Sequence, residues 1–150
     1  MSNFRQGYYT PKNPTKYVGD ITKIVYRSSW ELKFNQFLDN NPNILKWGSE
    51  PFPIPYIKVT DNKIHNYFPD YYIMIQQKSG AVVEELIEVK PASQTRPSRS
   101  RNQKNKLYED IQYAINTSKW QSAVKWCEDV YKRTGRKITF RIVTEKELFV

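Results

Sequence analysis

The sequence predicts a mixed α/β domain in which helices cover a central sheet. Three observations lead to this class. A helical apolar pattern lies in the first third of the chain, three β-rich runs follow between residues 56 and 90, and further helical patterns precede a last strand. This order excludes an all-α bundle and an all-β fold. The length of 150 residues suits one domain, residues 1–150.

The chain starts with a polar, aromatic and basic stretch, residues 1–20, which we interpret as an extended arm. Three aromatic residues offer anchors for docking it on a protein partner: Phe4, Tyr8 and Tyr9.

Weak alternation predicts a short strand at 21–27. Residues 28–41 form the first predicted helix, because apolar residues recur along one face and Pro42 follows. These apolar residues are Trp30, Phe34, Phe37 and Leu38.

The β-rich region contains three predicted strands. Residues 50–56 carry prolines at alternate positions, which restricts them to an edge or extended conformation. Runs at 56–59 and 66–76 predict two strands with a polar link between them. A turn at 77–80 joins the second run to a third strand at 82–90, which a proline ends.

Residues 91–106 differ in composition from the rest of the chain. They hold five basic residues and no acidic one, and we predict a flexible basic loop there. Two helices are predicted next, at 105–116 and 118–134. Gly135 suits the left-handed residue that often ends a helix. The last strand is predicted at 137–143.

Composition restricts the function. The chain carries 24 Lys and Arg residues against 15 Asp and Glu, a formal net charge of +9, which favours a polyanionic partner such as nucleic acid. A single cysteine excludes an intrachain disulfide and a multi-cysteine zinc site, and a single histidine excludes histidine clusters. No apolar run is long enough to span a membrane. We therefore expect no membrane and no disulfide partner.

Two short motifs place acidic residues at corresponding positions of one hairpin. Asp70 follows Pro69 in the second predicted strand, and Glu88 lies near the end of the third. Each lies nine residues from the turn centre at Ser79, so we expect the two carboxylates to be cross-strand neighbours. Glu88 and Lys90 point to the same face, because side chains alternate along a strand.

This arrangement suits a hard divalent cation. Mg²⁺ prefers oxygen ligands and keeps several waters, so Asp70, Glu88 and the Val89 carbonyl provide part of its coordination shell. A bound cation activates water and neutralises charge on a phosphate. Lys90 would orient that water or hold a phosphate oxygen. The residues therefore favour a metal-dependent nuclease that uses Mg²⁺ or alternatively Mn²⁺.

The pattern Pro69-Asp70 followed by Glu88-Val89-Lys90 resembles the PD-(D/E)xK nuclease superfamily. Three strings are similar to its TnsA-like branch, which includes transposon TnsA endonucleases and the head completion nucleases of T4-type tailed phages. They are Tyr26-Arg-Ser-Ser-Trp-Glu31, Tyr67-Phe-Pro-Asp-Tyr71 and Ile87-Glu-Val-Lys-Pro91. The resemblance covers nearly the whole chain and implies a restriction-endonuclease-like core.

The resemblance also implies residue roles. Asp70 and Glu88 correspond to the metal carboxylates, Lys90 to the catalytic lysine, and Glu31 to a helix-borne acid near the metal. We therefore expect catalysis by Glu31, Asp70, Glu88 and Lys90, and metal contact by Asp70, Glu88, Val89 and Glu31. Glu31 also fits a capping box with Ser28, so helix capping is the alternative for this residue.

Basic residues near this site are expected to bind the phosphate backbone of DNA. The segment 91–106 directly follows the second motif, so its charges would lie beside the metal; a solvated loop is the alternative. Arg27 is either a phosphate contact or an ordinary surface residue. The predicted DNA-binding residues are Arg27, Arg96, Arg99, Arg101, Lys104 and Lys106. A structural ion pair is expected for Glu50, and Glu84 and Glu85 are expected to be solvated or ion-paired rather than catalytic.

The expected function is hydrolysis of DNA phosphodiesters, as an endonuclease or an exonuclease. The resemblance adds processing of packaged double-stranded DNA ends so that phage heads can join tails. It implies portal, neck or other head proteins as partners, and the host cytoplasm and then the virion as locations. The alternative is a non-catalytic head or neck assembly protein that binds DNA or the portal. A sequence-specific DNA binder ranks last, because no helix-turn-helix pattern is present.

Overall fold

The structure is a computed structural model that describes residues 6–148. Within this range the strands are β1 Gly7–Tyr8, β2 Val25–Tyr26, β3 Ile44–Ser49, β4 Ile54–Lys58, β5 Lys63–Tyr67, β6 Tyr71–Gln76, β7 Val82–Val89 and β8 Ile138–Val143. The helices are α1 Ser29–Asn40, α2 Gln103–Thr134 and α3 Glu145–Leu148. Short 3₁₀ turns occur at Pro14–Lys16, Ile21–Lys23 and Ala92–Thr95.

A mixed four-stranded sheet in the order β3-β6-β7-β8 forms the centre of the fold. β6 pairs antiparallel with β3 and β7, whereas β7 and β8 are parallel. β4 and β5 form a separate antiparallel hairpin, as do the two-residue strands β1 and β2. The predicted class, a mixed sheet with helices, is therefore confirmed.

Both faces of the central sheet are buried. Leu38 of α1 and Trp47 of β3 belong to the apolar cluster on one face. Ala123 of α2 and Leu86 of β7 belong to the cluster on the other face. The adjacent residues Leu86 and Ile87 are both fully buried, because β7 is a central strand with a helix on each side.

The predicted strand at 66–76 is two strands in the structure. β5 ends at Tyr67 and pairs with β4, while β6 starts at Tyr71 and joins the central sheet. Pro69 lies at the break, because it has no N–H to donate to a strand ladder. Strand β3 was not predicted, since its buried residues do not alternate with exposed ones.

The prediction of two helices at 105–116 and 118–134 is wrong, because α2 is continuous. Its 32 residues contain no glycine or proline that would interrupt the backbone hydrogen bonds. The Thr117 hydroxyl at the expected break donates to the Tyr113 carbonyl at 2.8 Å, a bond compatible with a helix. Gly135 ends the helix at φ 75°, as predicted. Between residues 6 and 148, no helix is both long and apolar enough to cross a membrane.

The segment 91–106 is not one flexible loop in the structure. It includes the 3₁₀ turn at Ala92–Thr95, and its last four residues belong to the first turns of α2. Between them, the Ser98 N–H donates to Asp110 at 3.1 Å and its hydroxyl donates to Glu109 at 2.8 Å. The acceptors that hold Ser98 lie on α2, outside the stretch from which flexibility was predicted.

The described part of the arm, residues 6–20, packs on the domain instead of standing away from it. The Tyr9 hydroxyl donates to Asp39 at 2.7 Å. Lys16 Nζ donates to three carbonyl oxygens at the end of α1, at 2.8–2.9 Å. These free carbonyls and the buried carboxylate provide acceptors that the arm's own sequence does not reveal. Tyr8 is exposed, and Phe4 lies outside the described residues.

Asp39→Ala is expected to lower the free energy of unfolding by about 3 kcal/mol. The Asp39 carboxylate is fully buried and accepts the Tyr9 hydroxyl and the backbone N–H groups of Lys12 and Asn13. Alanine leaves these donors without an acceptor. Urea denaturation measures the change, and the exposed Asp129→Ala on α2 is the control, expected within about 0.5 kcal/mol of wild type. Equal stabilities of the two variants would contradict this account.

Candidate functional site

The β6–β7 hairpin places Asp70 and Glu88 at facing positions. Tyr71 pairs with Ile87, and the next residue on each strand is Asp70 on one side and Glu88 on the other. Asp70 Oδ2 accepts the backbone N–H of Val89 at 2.8 Å, which fixes this carboxylate against the end of β7. The structure thus brings together the two carboxylates that the sequence predicted to be neighbours.

Glu88 is a buried carboxylate with two polar neighbours. The Tyr67 hydroxyl donates to Glu88 Oε1 at 2.8 Å. Lys90 Nζ lies 3.8 Å from Glu88 Oε2, on the same face of β7. The Lys90 backbone N–H donates to Val143 of β8 at 2.9 Å, so the parallel pairing with β8 continues to the lysine. The predicted side-by-side placement of Glu88 and Lys90 is confirmed.

The two carboxyl groups disfavour each other's ionisation. Burial raises the pKa of Asp70 well above its usual value, and repulsion by Glu88 and then Glu31 raises it further. Burial also raises the pKa of Glu88, although Lys90 and the Tyr67 hydroxyl act in the opposite direction. A cation bound between the carboxylates would remove this repulsion.

Glu31 lies in the first turn of α1. Ser28 is the N-cap, and its hydroxyl oxygen accepts the Glu31 N–H at 3.2 Å. The same hydroxyl lies 3.4 Å from Glu31 Oε2, to which it donates. Burial raises the pKa of Glu31, and repulsion by Glu50 adds to the shift. The N-cap predicted at Ser28 is therefore confirmed, while the metal role of Glu31 stays a prediction.

Arg27 forms an ion pair beside the acidic residues. Its Nε and Nη2 donate to the two Glu50 oxygens at 3.0 and 3.2 Å, which confirms the ion pair predicted for Glu50. Glu50 has a left-handed φ of 46°, and its N–H donates to the Asp70 carbonyl at 2.9 Å. Glu84 and Glu85 are also ion-paired. Glu84 pairs with Arg136, and Glu85 pairs with Arg141.

The donor set fits a divalent cation that keeps part of its water. Across residues 6–148, no group of three or more His, Cys, Asp or Glu side chains is placed to hold a metal ion. The available ligands are therefore the facing carboxylates of Asp70 and Glu88 and the adjacent Val89 carbonyl. Mg²⁺ is commonly bound by one or two carboxylates plus waters, and the mutual repulsion of these carboxylates favours a cation.

A groove of about 550 Å³ lies between the 91–106 segment and α2. Lys90 lines it, and the ion pair of Lys90 with Glu88 connects the groove to the acidic pair. Two of the predicted DNA-binding residues, Arg96 and Arg99, line its wall. The other three of this segment are exposed on the surface beyond it: Arg101, Lys104 and Lys106. Lys106 also pairs with Asp110 at 3.0 Å.

Three residues near Glu88 were not predicted as site residues. Tyr67 provides its hydroxyl hydrogen bond. The charge of Lys119 on α2 favours ionised Glu88, and so does the Trp120 indole N–H, which makes no regular hydrogen bond within the described chain. Tyr67 lies three residues before Asp70, within a string that the resemblance used. No motif marks Lys119 or Trp120, because only the packing of α2 on the sheet brings them to β7.

Comparisons with known proteins assign the chain to a family. The family model described as TnsA-like endonuclease N terminal matches residues 41–145, which include Asp70, Glu88 and Lys90. The chain is also 39% identical, over 148 residues, to the head completion nuclease of Enterobacteria phage T4. This match covers 95% of the chain and 92% of the phage T4 protein. No solved structure matches at a significant level. The chain therefore belongs to the family of TnsA-like endonucleases.

Proposed function

We propose that this protein is a divalent-metal-dependent DNA nuclease that acts in the completion of phage heads. The observation that carries the proposal is the facing pair Asp70 and Glu88 with Lys90 beside it, in a chain of the TnsA-like endonuclease family. The name of the phage T4 relative supports the place of this activity in head completion. It also supports the host cytoplasm during assembly, and then the virion, as locations.

The site residues have distinct proposed tasks. Asp70, Glu88 and the Val89 carbonyl would hold Mg²⁺ or Mn²⁺, and Glu31, whose charge acts on Asp70, would act through the ion's waters. When bound, the cation supplies a water of lowered pKa and neutralises charge on the phosphate. Lys90 donates a hydrogen bond to the attacking water or to a phosphate oxygen. The water oxygen bonds to phosphorus, the ester P–O bond breaks, and the leaving oxygen takes up a proton.

The groove gives this site a path for double-stranded DNA. Arg96 and Arg99 line its wall. Three exposed basic residues extend the positive surface further: Arg101, Lys104 and Lys106. Such a surface binds phosphates at any sequence. Arg27 would be a further phosphate contact. Its guanidinium would leave Glu50 and bind a phosphate of the DNA instead. Portal, neck or other head proteins are the proposed protein partners.

Incubation of the purified protein with circular and linear DNA tests the proposal. We expect cleavage with Mg²⁺, no cleavage with EDTA, and at least about a hundredfold slower cleavage by Glu88→Gln, which keeps the shape but removes a charged ligand. The control is Glu128→Gln, an exposed change on α2 outside this groove. Cleavage that persists in EDTA, or equal rates for the two variants, would reject the metal-dependent mechanism at this site.

A further inference from the structure

Lys119 is held at the acidic site by two aromatic rings. Its Nζ lies 5.6 Å from the ring centroid of Tyr56 and 5.9 Å from that of Tyr67. Both tyrosines belong to the β4–β5 hairpin, and Tyr67 is the residue that donates its hydroxyl to Glu88. An ammonium group over aromatic faces is attracted to them, and this attraction fixes its position without using its N–H donors.

The N–H groups of Lys119 have no oxygen acceptor in the described part of the chain. No hydrogen bond from its Nζ is present there, and no carboxylate oxygen lies within ion-pair distance of 4.0 Å. Lys16 differs, because it donates to three carbonyl oxygens. Lys119 is half-buried, so its ammonium group has lost hydrogen bonds to water. Its three N–H donors do not regain them from the protein, which costs free energy. Its donors therefore remain available to an anion that enters from solvent.

The groove shows where such an anion would come from. Lys119 and Lys90 both line it, one from α2 and the other from the end of β7. Glu88 attracts both lysines: its Oε2 lies 3.8 Å from Lys90 Nζ, and its charge acts on Lys119 more strongly than that of Asp70. Both lysines line the groove whereas Asp70 and Glu88 do not, and a cation held by these two carboxylates would offset their charges, so the ammonium groups would remain for an anion. A phosphate placed there would contact both lysines and lie beside Asp70 and Glu88.

We propose that Lys119 is a second phosphate-binding lysine of the site, which holds a non-bridging oxygen of the phosphate under attack while Lys90 acts from the opposite wall. The inference rests on the proposed nuclease function, and it assigns to α2 a direct contact with the substrate. A compact ammonium suits this task, because it can donate to an oxygen from several directions.

The test compares Lys119→Met with Lys125→Met. Both changes remove one positive charge from α2, but Lys125 is exposed and lies outside the groove. DNA binding is measured against salt concentration with Ca²⁺ in place of Mg²⁺, and single-turnover cleavage is measured with Mg²⁺ at saturating DNA. We expect Lys119→Met to lower the salt slope of binding by about 0.9 and the cleavage rate by about a hundredfold. Lys119→Arg should recover part of both, since it keeps the charge, and Lys125→Met should resemble wild type.

The thermal midpoints of all variants show whether Lys119 contacts the phosphate or only stabilises the fold. A Lys119→Met protein with the wild-type salt slope and rate overturns the proposal, as does a rate loss that comes with an unchanged salt slope. A loss of both that matches a fall in the folded fraction also overturns it. If the wild type binds DNA without cutting it, the nuclease proposal fails by itself, and the salt slope still decides whether Lys119 contacts phosphate.

Discussion

Asp70→Asn is expected to slow DNA cleavage by about a thousandfold while DNA binding stays equal or becomes tighter. The change keeps the size of the side chain and the hydrogen bond from Val89, but it removes one of the two facing charges. Loss of that charge weakens the cation site. It also removes a repulsive charge beside the phosphate, which is why binding does not fall. Single-turnover cleavage with Mg²⁺ and a binding assay with Ca²⁺ measure the two effects.

The same variant has an expected effect on stability that depends on pH. Burial and the repulsion by Glu88 raise the pKa of Asp70 in the folded protein. A carboxyl whose pKa is raised by folding has no electrostatic cost below its unfolded pKa of about 4; the cost grows as the pH rises above that value and becomes constant above the folded pKa. Relative to Asp70→Asn, metal-free wild type should therefore lose stability as the pH rises from about 4 to 7, and the variant should be equally or more stable at pH 7.

A divalent cation should reverse this order and make wild type more stable than Asp70→Asn. A ligand that binds only the folded state at a hundred times its dissociation constant stabilises it by about 2.7 kcal/mol. Mg²⁺ should raise the thermal midpoint of wild type, leave Asp70→Asn nearly unchanged, and affect the exposed control Asp129→Asn as it affects wild type. An Asp70→Asn protein that is unfolded at every pH would make Asp70 a structural residue, and one that cuts DNA normally would place the site elsewhere.

The second large effect is expected in phage assembly. In a phage that depends on this protein, Lys90→Ala supplied in place of wild type should yield filled heads without tails and no infectious particles. Lys90 is partly exposed and, among residues 6–148, its only ion pair is with Glu88, so alanine should leave the fold intact. Particle titre and electron microscopy of the lysate measure the result, with Lys132→Ala, an exposed lysine in the last turn of α2, as the control.

This experiment separates the enzyme from an assembly protein. If Lys90→Ala supports normal titres although the purified variant cuts no DNA, the head completion role needs the fold and not the reaction. The non-catalytic alternative would then be correct. If both cleavage and joining are lost while the control retains them, the reaction is required for completion.

Local sequence patterns were sufficient where neighbouring residues along the chain decide the structure. The apolar spacing and the Ser28 cap predicted α1, and the turn at 77–80 fixed the register of β6 with β7. That register follows from counting outward from the turn, because side chains in a hairpin face one another at equal distances from it. The facing of Asp70 and Glu88 was therefore predictable from sequence.

Patterns failed where long-range contacts decide the structure. The arm was predicted as extended because its acceptors, Asp39 and the last carbonyls of α1, are more than twenty residues away in sequence. The segment 91–106 was predicted as flexible because the acidic residues that hold Ser98 lie on α2. The break expected near Thr117 is a different case, a local error, because polar side chains disfavour a helix only weakly where no glycine or proline interrupts it.

The sequence by itself determined the mixed α/β class, the basic charge, the facing carboxylates and the lysine beside them, because each depends on composition or on one hairpin. Only the tertiary structure decided that α2 packs across the sheet so that it brings Lys119 and Trp120 to Glu88. It also decided that the Tyr67 hydroxyl reaches Glu88 from a strand outside the central sheet. The physical reason is that these side chains meet through the burial of apolar faces between separate elements, and no local spacing encodes which polar residues that packing brings together.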